Sequence, residues 1–198
     1  MRKGLIFVVS GPSGSGKTTL LARLLKGKAL KKVLAKSVSF TTRPKRSGER
    51  NAKNYFFISQ EQFKRQRLAK KFLEWTKYLG YYYATPRDCF QKQIKKGKHV
   101  ILCLDFPGAS KIKKLYSKNT VTIFIQPPSF QALEQRIKGR CNQTKTIEIK
   151  KRLKLARQEV RLFRSYDYSL VNKDLASTVS ALKKIVLKAI NFKREKKE

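Results

Sequence analysis

The sequence predicts an α/β protein in which a parallel sheet is flanked by helices. Short apolar segments rich in β-branched or aromatic residues recur along the chain, and the stretches between them have the periodicity of amphipathic helices. Strand-length segments that are apolar throughout are typical of parallel strands covered on both faces. With 198 residues, of which 40% are hydrophobic, the chain is long enough to form one such domain.

Four segments are predicted to be strands of this sheet, with helices between them. The predicted strands are residues 5–9, 100–104, 121–125 and 168–171. A leucine-rich face between residues 20 and 25 predicts the first helix, and a similar apolar face between residues 181 and 189 predicts the last. Ser59 followed by Gln62 has the spacing of a capping box, which predicts that another helix begins there.

Two segments interrupt the alternation of strands and helices. Residues 38–87 are rich in Thr, Arg, Tyr and Gly and are predicted to form short strands and one helix inserted into the core. Residues 137–150 are polar and basic and are predicted to form a mobile lid between two helices. The core then consists of residues 1–37, 88–136 and 151–198. Because functional residues concentrate on such connecting segments, we expect the site at the insertion and the lid.

The composition argues against several classes of protein. The single histidine, His99, excludes paired-histidine metal sites and argues against histidine-based catalysis. Cys89, Cys103 and Cys141 are far apart, which supports neither a disulfide framework nor a zinc site. No apolar run approaches the roughly 20 residues of a membrane span, and the first apolar run is too short for a secretory signal. We therefore expect a cytoplasmic protein that does not bind membranes.

The net charge of +36, from 48 Lys and Arg against 12 Asp and Glu, is unusually high. Such a charge favours polyanionic partners, so nucleic acid is a candidate. Two interpretations remain open, namely a solvated lysine-rich surface and non-specific RNA binding. The basic residues are spread along the chain, and no recognition helix, zinc finger or RNP-type aromatic pattern concentrates them.

Residues 11–18 fit the phosphate-loop pattern G-x-x-x-x-G-K-[ST] in full, between a predicted strand and a predicted helix. Glycines in such a loop let backbone N–H groups surround phosphate oxygens, and the helix that follows presents its positive N-terminus. Lys17 then reaches the β- and γ-phosphates, and the Thr18 hydroxyl is the predicted Mg²⁺ ligand, partly through water. The residues predicted to bind the nucleoside triphosphate are Gly11, Pro12, Ser13, Gly14, Ser15, Gly16, Lys17, Thr18 and Thr19.

Polar side chains in the predicted insertion are suited to a phosphorylated acceptor. Arg43 and Arg46, three residues apart, and the Tyr55 hydroxyl can bind a phosphate dianion by charge-assisted hydrogen bonds. Glu74 lies in the apolar segment FLEW, and a carboxylate accepts two N–H bonds from one edge of guanine that adenine and thymine do not offer in the same geometry. Glu74 alone is equally well an ordinary surface acid, so only the combination is informative.

Several segments occur in the order found in one enzyme family. After the phosphate loop come SVSFTTR, GER, FLEW, YYYATPR, the strand ending at Asp105, IFIQPPS, RIKGR and YDYSLVNKDL. From the phosphate loop to about Ile190, the chain closely resembles guanylate kinases. The resemblance implies a P-loop kinase core with a GMP-binding insertion and a closing lid. It also implies transfer of the γ-phosphoryl group of ATP to GMP or dGMP, giving ADP and GDP or dGDP, with Mg²⁺.

The resemblance further implies roles for individual residues of this sequence. The implied GMP-binding residues are Arg43, Arg46, Tyr55 and Tyr83 for the phosphate, Ser39, Glu74 and Thr85 for guanine, and Asp105 beside the acceptor. The implied ATP-binding residues outside the loop are Arg136 and Arg140 near the phosphates and Asn172 near the adenine. The implied catalytic residues are Lys17, Arg43, Arg136, Arg140 and Asp105. In such a mechanism the protein positions the substrates and neutralises charge on the transferring group.

The sequence departs from the family pattern at a few positions. Ala52 and Asn54 replace a usual Gly and Asp, and Pro107 stands where Gln is common. Cys103 occupies a position that is usually acidic and is predicted to lie on the same strand face as Asp105. Two interpretations of Cys103 remain, since it either packs as a small hydrophobe or weakens the placement of the metal.

Two alternatives to an active enzyme follow from the same sequence. The first is a catalytically weak binding module, as in the guanylate-kinase-like domains of scaffold proteins, and the intact Lys17 and Thr18 argue against it. The second is a basic protein that binds RNA, which is compatible with catalysis. The sequence does not predict an oligomeric state.

Overall fold

The computed structural model describes residues 4–139 and 146–195. The strands in these residues are β1 (Ile6–Ser10), β2 (Leu34–Lys36), β3 (Phe40–Thr41), β4 (Phe56–Phe57), β5 (Phe72–Tyr78), β6 (Tyr81–Pro86), β7 (His99–Cys103), β8 (Thr120–Gln126) and β9 (Tyr168–Val171). The α-helices are α1 (Lys17–Leu24), α2 (Lys28–Val33), α3 (Gln60–Leu68), α4 (Arg87–Lys95), α5 (Phe106–Leu115), α6 (Phe130–Gly139), α7 (Thr146–Val160) and α8 (Leu175–Glu195). Short 3-10 helices span Ser117–Asn119 and Arg161–Ser165.

The larger sheet is parallel throughout and has the strand order β2-β7-β1-β8-β9. The four strands predicted from the sequence are confirmed as β1, β7, β8 and β9, each within one residue at its ends. β2 was not predicted, because a three-residue strand among lysines has no apolar run that marks it. The predicted α/β class, with a parallel sheet between helices, is confirmed.

The core lies on both faces of this sheet. β1 is buried along its whole length. On one face Phe7 belongs to a cluster with Leu20 of α1 and Leu182 of α8. On the other face Val8 belongs to a cluster with Ile112 of α5. Burying a side chain of this size contributes about 1.5–3 kcal/mol, so β1 is held firmly where its carboxyl end meets the phosphate loop.

A smaller sheet has the order β4-β3-β6-β5, and its strands and α3 all fall between residues 40 and 86. β3 and β4 are parallel, whereas β3–β6 and β5–β6 are antiparallel. The predicted capping box of α3 is confirmed, since the Ser59 hydroxyl accepts from the Gln62 N–H at 3.1 Å and Gln62 Oε1 accepts from the Ser59 N–H at 2.9 Å. Phe63 of α3 stacks on Tyr82 with ring centroids 4.9 Å apart. α3 therefore packs on one face of this sheet.

The topology brings the smaller sheet to the carboxyl ends of the parallel strands. β1 leads into the phosphate loop, β7 leads through Asp105 into α5, and α5 packs against β5. Ligands of parallel α/β sheets bind at this edge. Among the described residues, no helix has both the length and the apolar character to cross a membrane.

Candidate active site

Residues 11–16 form the turn that joins β1 to α1. Gly16 has φ 93°, the left-handed conformation that glycine adopts without strain. A Cβ there would collide with the side-chain amide of Asn172, so both the conformation and the space require glycine. The Lys17 ammonium donates to the carbonyls of Gly11 at 2.6 Å and Pro12 at 2.8 Å, and therefore lies across the loop.

Asn172, directly after β9, holds the phosphate loop from the side. It is buried, and its side-chain amide donates to the Ser15 carbonyl at 2.8 Å. Arg136 of α6 donates through Nη2 to the Asn172 carbonyl at 3.3 Å. Its Nη1 is buried and has no hydrogen-bond partner among the described residues. The guanidinium predicted to approach the ATP phosphates thus lies beside the loop, and its Nη1 can still donate hydrogen bonds to a ligand.

Thr18 and Thr19 lie in the exposed first turn of α1. The described residues contain no group of three or more His, Cys, Asp and Glu side chains arranged to hold a metal ion. Mg²⁺ is commonly bound through one or two protein oxygens together with substrate phosphates, rather than by a cage of protein ligands. The hard hydroxyl oxygen of Thr18, next to the predicted phosphate loop, fits that mode of binding.

The predicted guanine-binding residues form a row across the smaller sheet. Glu74 pairs with Thr85 between β5 and β6, and Phe40 pairs with Ala84 between β3 and β6. Continuing the second register places Ser39 opposite Thr85, and the parallel pairing of β3 with β4 places Tyr55 next to Ser39. The fold thus brings together four residues that are far apart in sequence.

Glu74 is a buried carboxyl group with one oxygen engaged and one oxygen open. Its Oε1 accepts a 2.5 Å hydrogen bond from the Thr85 hydroxyl, and its Oε2 is buried with no partner among the described residues. Burial, with a smaller contribution from the nearby charge of Asp105, raises the pKa of Glu74 to about 7. An unsatisfied buried carboxylate oxygen is costly, so this one is suited to accept N–H groups of a ligand.

Gly108 leaves open space in front of this carboxyl group. A Cβ at Gly108, in the first turn of α5, would lie 2.9 Å from Glu74 Oε2 and 3.0 Å from Asp105 Oδ1. Asp105 caps α5 by accepting from the Gly108 N–H at 3.0 Å. Burial raises the pKa of Asp105, although hydrogen bonds from Gly108 and Thr76 partly offset this. The two acids therefore flank a space that only glycine leaves free.

Arg43 and Arg46 lie at the edge of the same sheet, and Glu49 connects them. Arg43 is 8% exposed and donates to both carboxylate oxygens of Glu49, at 2.8 and 3.0 Å. Glu49 also accepts from the Arg46 N–H at 2.9 Å. Burial disfavours the charge of Arg43, but the hydrogen bond and ion pair with Glu49 outweigh it and raise the pKa of Arg43. The sequence pattern did not assign Glu49 a role, and its contacts show that it orients the arginine pair.

Two tyrosines accompany this arginine pair. The Arg43 guanidinium lies 5.5 Å from the centre of the Tyr55 ring, and Tyr55 meets Tyr83 edge to face with ring centres 5.9 Å apart. Burial raises the pKa of Tyr55, so its phenol remains a hydrogen-bond donor at neutral pH. The four residues predicted to bind the acceptor phosphate are therefore neighbours.

Helix α7 contributes two charged residues that the sequence analysis did not select. Arg152 is 8% exposed, pairs with Glu148, and its positive charge is among the causes that lower the pKa of Arg46. Burial raises the pKa of Glu159 to about 7, opposed mainly by the positive charge of Lys17. The spacing of these residues in a lysine-rich helix carries no motif, so only the fold shows that they face the site.

Cys103, at the end of β7, packs against the core cluster that contains Phe7. Burial raises the pKa of its thiol, and the opposing charges of Lys17 and Lys36 do not overcome this effect. The thiol is therefore neutral at pH 7, as expected of a small side chain that packs against apolar neighbours. Arg140, one of the predicted catalytic residues, lies outside the described residues.

Comparisons with known proteins agree with this arrangement. The family model described as guanylate kinase matches residues 3–189. A guanylate kinase of Bartonella henselae is 40% identical over 98% of this chain and 85% of its own length, and one of Symbiobacterium thermophilum is 42% identical over 93% and 85%. The crystal structure of a guanylate kinase from Anaplasma phagocytophilum superposes with a TM-score of 0.77 at 31% identity, covering 94% of this chain and 86% of that one. The chain belongs to the guanylate kinase family.

Proposed function

We propose that the chain transfers the γ-phosphoryl group of ATP to GMP or dGMP, giving ADP and GDP or dGDP. Membership of the family makes it a nucleoside monophosphate kinase. The observation that carries the choice of acceptor is the open, buried Oε2 of Glu74 beside Gly108. Guanine presents two adjacent N–H donors to such an oxygen pair, whereas adenine would leave the carboxylate without donors.

We propose that the acceptor site binds both the base and the phosphate of GMP. Glu74, with Thr85 and Ser39 in the same row, recognises the base. Arg43, Arg46, Tyr55 and Tyr83 bind the phosphate, which is already ionised at neutral pH and needs no general base. Asp105 lies between the two sites and experiences the charge of Lys17. Positioning of the acceptor oxygen is therefore the main contribution of this half of the site.

The donor site is proposed to bind ATP through residues 11–19. Backbone N–H groups and the N-terminus of α1 surround the phosphates, and Lys17 leaves the loop carbonyls to contact the phosphate oxygens. Arg136 and Arg152, together with Arg140, neutralise charge that develops on the transferring group. Asn172 fixes the loop through Ser15, and its contact with adenine stays a prediction. Mg²⁺ held by Thr18 would supply further charge neutralisation.

Residues 38–87 are proposed to act as the GMP-binding part, residues 137–150 as the lid, and the remaining residues as the core. Residues 137–139 belong to α6 and residues 146–150 to α7, while residues 140–145 lie outside the described part of the chain. Closure of both parts around the substrates would exclude water and suppress ATP hydrolysis.

A coupled assay of ADP release tests the proposal. ATP is supplied with GMP, dGMP, AMP, CMP or dTMP in parallel reactions. We expect ADP release with GMP, less with dGMP, and none above background with AMP. Turnover with AMP comparable to that with GMP, or ADP release that does not depend on the acceptor, would reject the assignment.

A further inference from the structure

The face of the smaller sheet opposite the GMP site, which α3 partly covers, carries an exposed tryptophan and basic side chains. Side chains alternate along a strand, so Trp75 and Lys77 of β5 point away from Glu74. Trp75 is 44% exposed. We name the group formed by Trp75, Lys77, Tyr82 and Arg67 the Trp75 surface. None of these residues belongs to the site described above.

The contacts within the Trp75 surface join each ring to a cation. The Arg67 guanidinium lies 5.1 Å from the centre of the Trp75 ring, and the Lys77 ammonium lies 5.5 Å from the centre of the Tyr82 ring. The two rings are 6.0 Å apart and inclined at 64°. Trp75 is therefore an exposed ring with a guanidinium over one face, whereas Tyr82 is half-buried and stacks on Phe63 of α3. An exposed aromatic ring accompanied by cations is an arrangement that binds single-stranded nucleic acid, by stacking of bases and pairing of phosphates.

The surroundings of this surface are strongly basic. Further exposed cations on α3 and on the turn that follows it are Lys64, Arg65, Lys70 and Lys71. Between residues 60 and 82 the acids are Glu61 and Glu74, and Glu74 is buried on the opposite face. The aromatic and basic residues come from α3, β5 and β6, so the pattern that is absent from the linear sequence is created by the fold.

We propose that the Trp75 surface binds single-stranded RNA. Bases that are paired in a duplex are not available to stack on a protein ring, whereas RNA presents unpaired bases in loops and ends. Charge complementarity between this surface and a polyphosphate provides the attraction, and the net charge of +36 extends it beyond the patch. Binding is independent of phosphoryl transfer, because the two sites are on opposite faces of the sheet.

Trp75 is the one tryptophan of the chain, so its fluorescence reports on this surface alone. The full chain is titrated with a single-stranded oligoadenylate of about 12 nucleotides, in excess GMP and ADP so that the acceptor and donor sites are both filled. We expect saturable quenching of Trp75 fluorescence, with an affinity that falls linearly with salt on a log–log plot. Duplex RNA of the same length is expected to bind more weakly, because its bases are not available for stacking.

Variants separate this surface from the general positive charge. Trp75→Ala is expected to weaken binding of labelled RNA by about 5- to 150-fold, and Trp75→Phe to retain most of the affinity. Arg67→Ala combined with Lys77→Ala is expected to reduce the salt slope by about 1.4. The matched control is Lys183→Ala with Lys184→Ala, which removes the same charge from exposed positions of α8, a helix that packs on α1 and β9. This control is expected to change neither the RNA affinity nor the salt slope.

Several results would overturn the proposal. One is the absence of RNA binding at low salt. Another is RNA binding that leaves Trp75 fluorescence unchanged. A third is equal weakening by the α8 control pair and by the pair at Arg67 and Lys77. Duplex RNA that binds as tightly as single-stranded RNA would also reject it. Because the fluorescence of the unmodified chain and the charge variants give answers by themselves, the test does not depend on Trp75→Ala folding.

Discussion

Glu74 and Thr85 face each other across β5 and β6, and the Thr85 hydroxyl donates a 2.5 Å hydrogen bond to Glu74 Oε1 while Oε2 stays open. The contact fixes the carboxyl plane before any ligand arrives. A preorganised acceptor loses little entropy on binding, so we expect the open oxygen to be a strong determinant of which base is selected.

Glu74→Gln is expected to lower kcat/KM for GMP by about 5- to 150-fold, since a buried donor–acceptor pairing worth about 1–3 kcal/mol is lost. The KM for ATP is expected to stay unchanged, because Glu74 lies on the smaller sheet. Steady-state kinetics with each substrate varied in turn measure both values. An equal fall in kcat/KM for ATP and for GMP would mean that Glu74 has a general structural role.

The affinity for GMP is expected to rise with pH through about 7. The pKa of Glu74 is raised to about 7 before GMP binds, and the N–H donors of guanine pair with the ionised form. Most Glu74 is therefore protonated at pH 6 and ionised at pH 8, so the dissociation constant should fall about tenfold between them. Calorimetry at both pH values measures it.

The Glu74→Gln variant is the control for this pH dependence. The phosphate of GMP also titrates near pH 6, and its contribution is the same for both proteins. At each pH, the ratio of the dissociation constants of the unmodified protein and of Glu74→Gln therefore reports the titration of Glu74 alone. A wild-type profile parallel to that of the variant would show that Glu74 does not titrate in this range.

Gly108→Ala is expected to raise the KM for GMP without lowering the free energy of unfolding by much. The added methyl group would lie 2.9 Å from Glu74 Oε2 and 3.0 Å from Asp105 Oδ1, within the space assigned to guanine. Alanine favours a helix over glycine by about 1 kcal/mol, which offsets part of the crowding. Kinetics and denaturant unfolding separate the two effects. An unchanged KM for GMP would mean that guanine does not bind in the space beside Gly108.

The parallel sheet could be predicted because its strands are continuous apolar runs, and the phosphate loop because its glycines and Lys17 are consecutive in sequence. The row that joins Glu74 to Tyr55 depends on strand register, which two-residue strands such as β3 and β4 specify weakly in sequence. The roles of Glu49 and Arg152 could not be predicted from the sequence for a different reason. Each is one charge among many, and only burial distinguishes it from the solvated surface.

Lys17→Ala and Arg46→Ala are expected to impair the enzyme in different ways. Lys17 is proposed to contact the donor phosphates, so its loss should lower kcat by about 100- to 1000-fold. Arg46 is proposed to contact the acceptor phosphate, so its loss should raise the KM for GMP by about 10- to 150-fold. Arg50→Ala is the matched control, an exposed arginine in the same segment. GMP kinetics that are the same for Arg46→Ala and Arg50→Ala would remove Arg46 from the phosphate site.

Cys103→Asp is expected to destabilise the protein without changing its Mg²⁺ requirement. The Cys103 side chain packs against the core, and burial already raises the pKa of its thiol. A carboxyl group there would be buried beside Asp105 and would have its pKa raised above the unfolded value of roughly 3.9. Because the folded-state pKa is raised, the destabilisation is smallest below the unfolded pKa. It grows as pH rises and is complete once pH exceeds the folded-state pKa.

Denaturant unfolding at pH 5 and pH 8 therefore measures a larger loss at the higher pH, of about 1–3 kcal/mol, with Cys103→Ala as the pH-independent control. Titration of activity with Mg²⁺ is expected to give the same midpoint for Cys103→Asp and for the unmodified chain. The contrary result is a higher kcat or a lower Mg²⁺ requirement. It would mean that this half-buried position contributes to metal placement although it packs against the core, and that the thiol limits the rate of this enzyme.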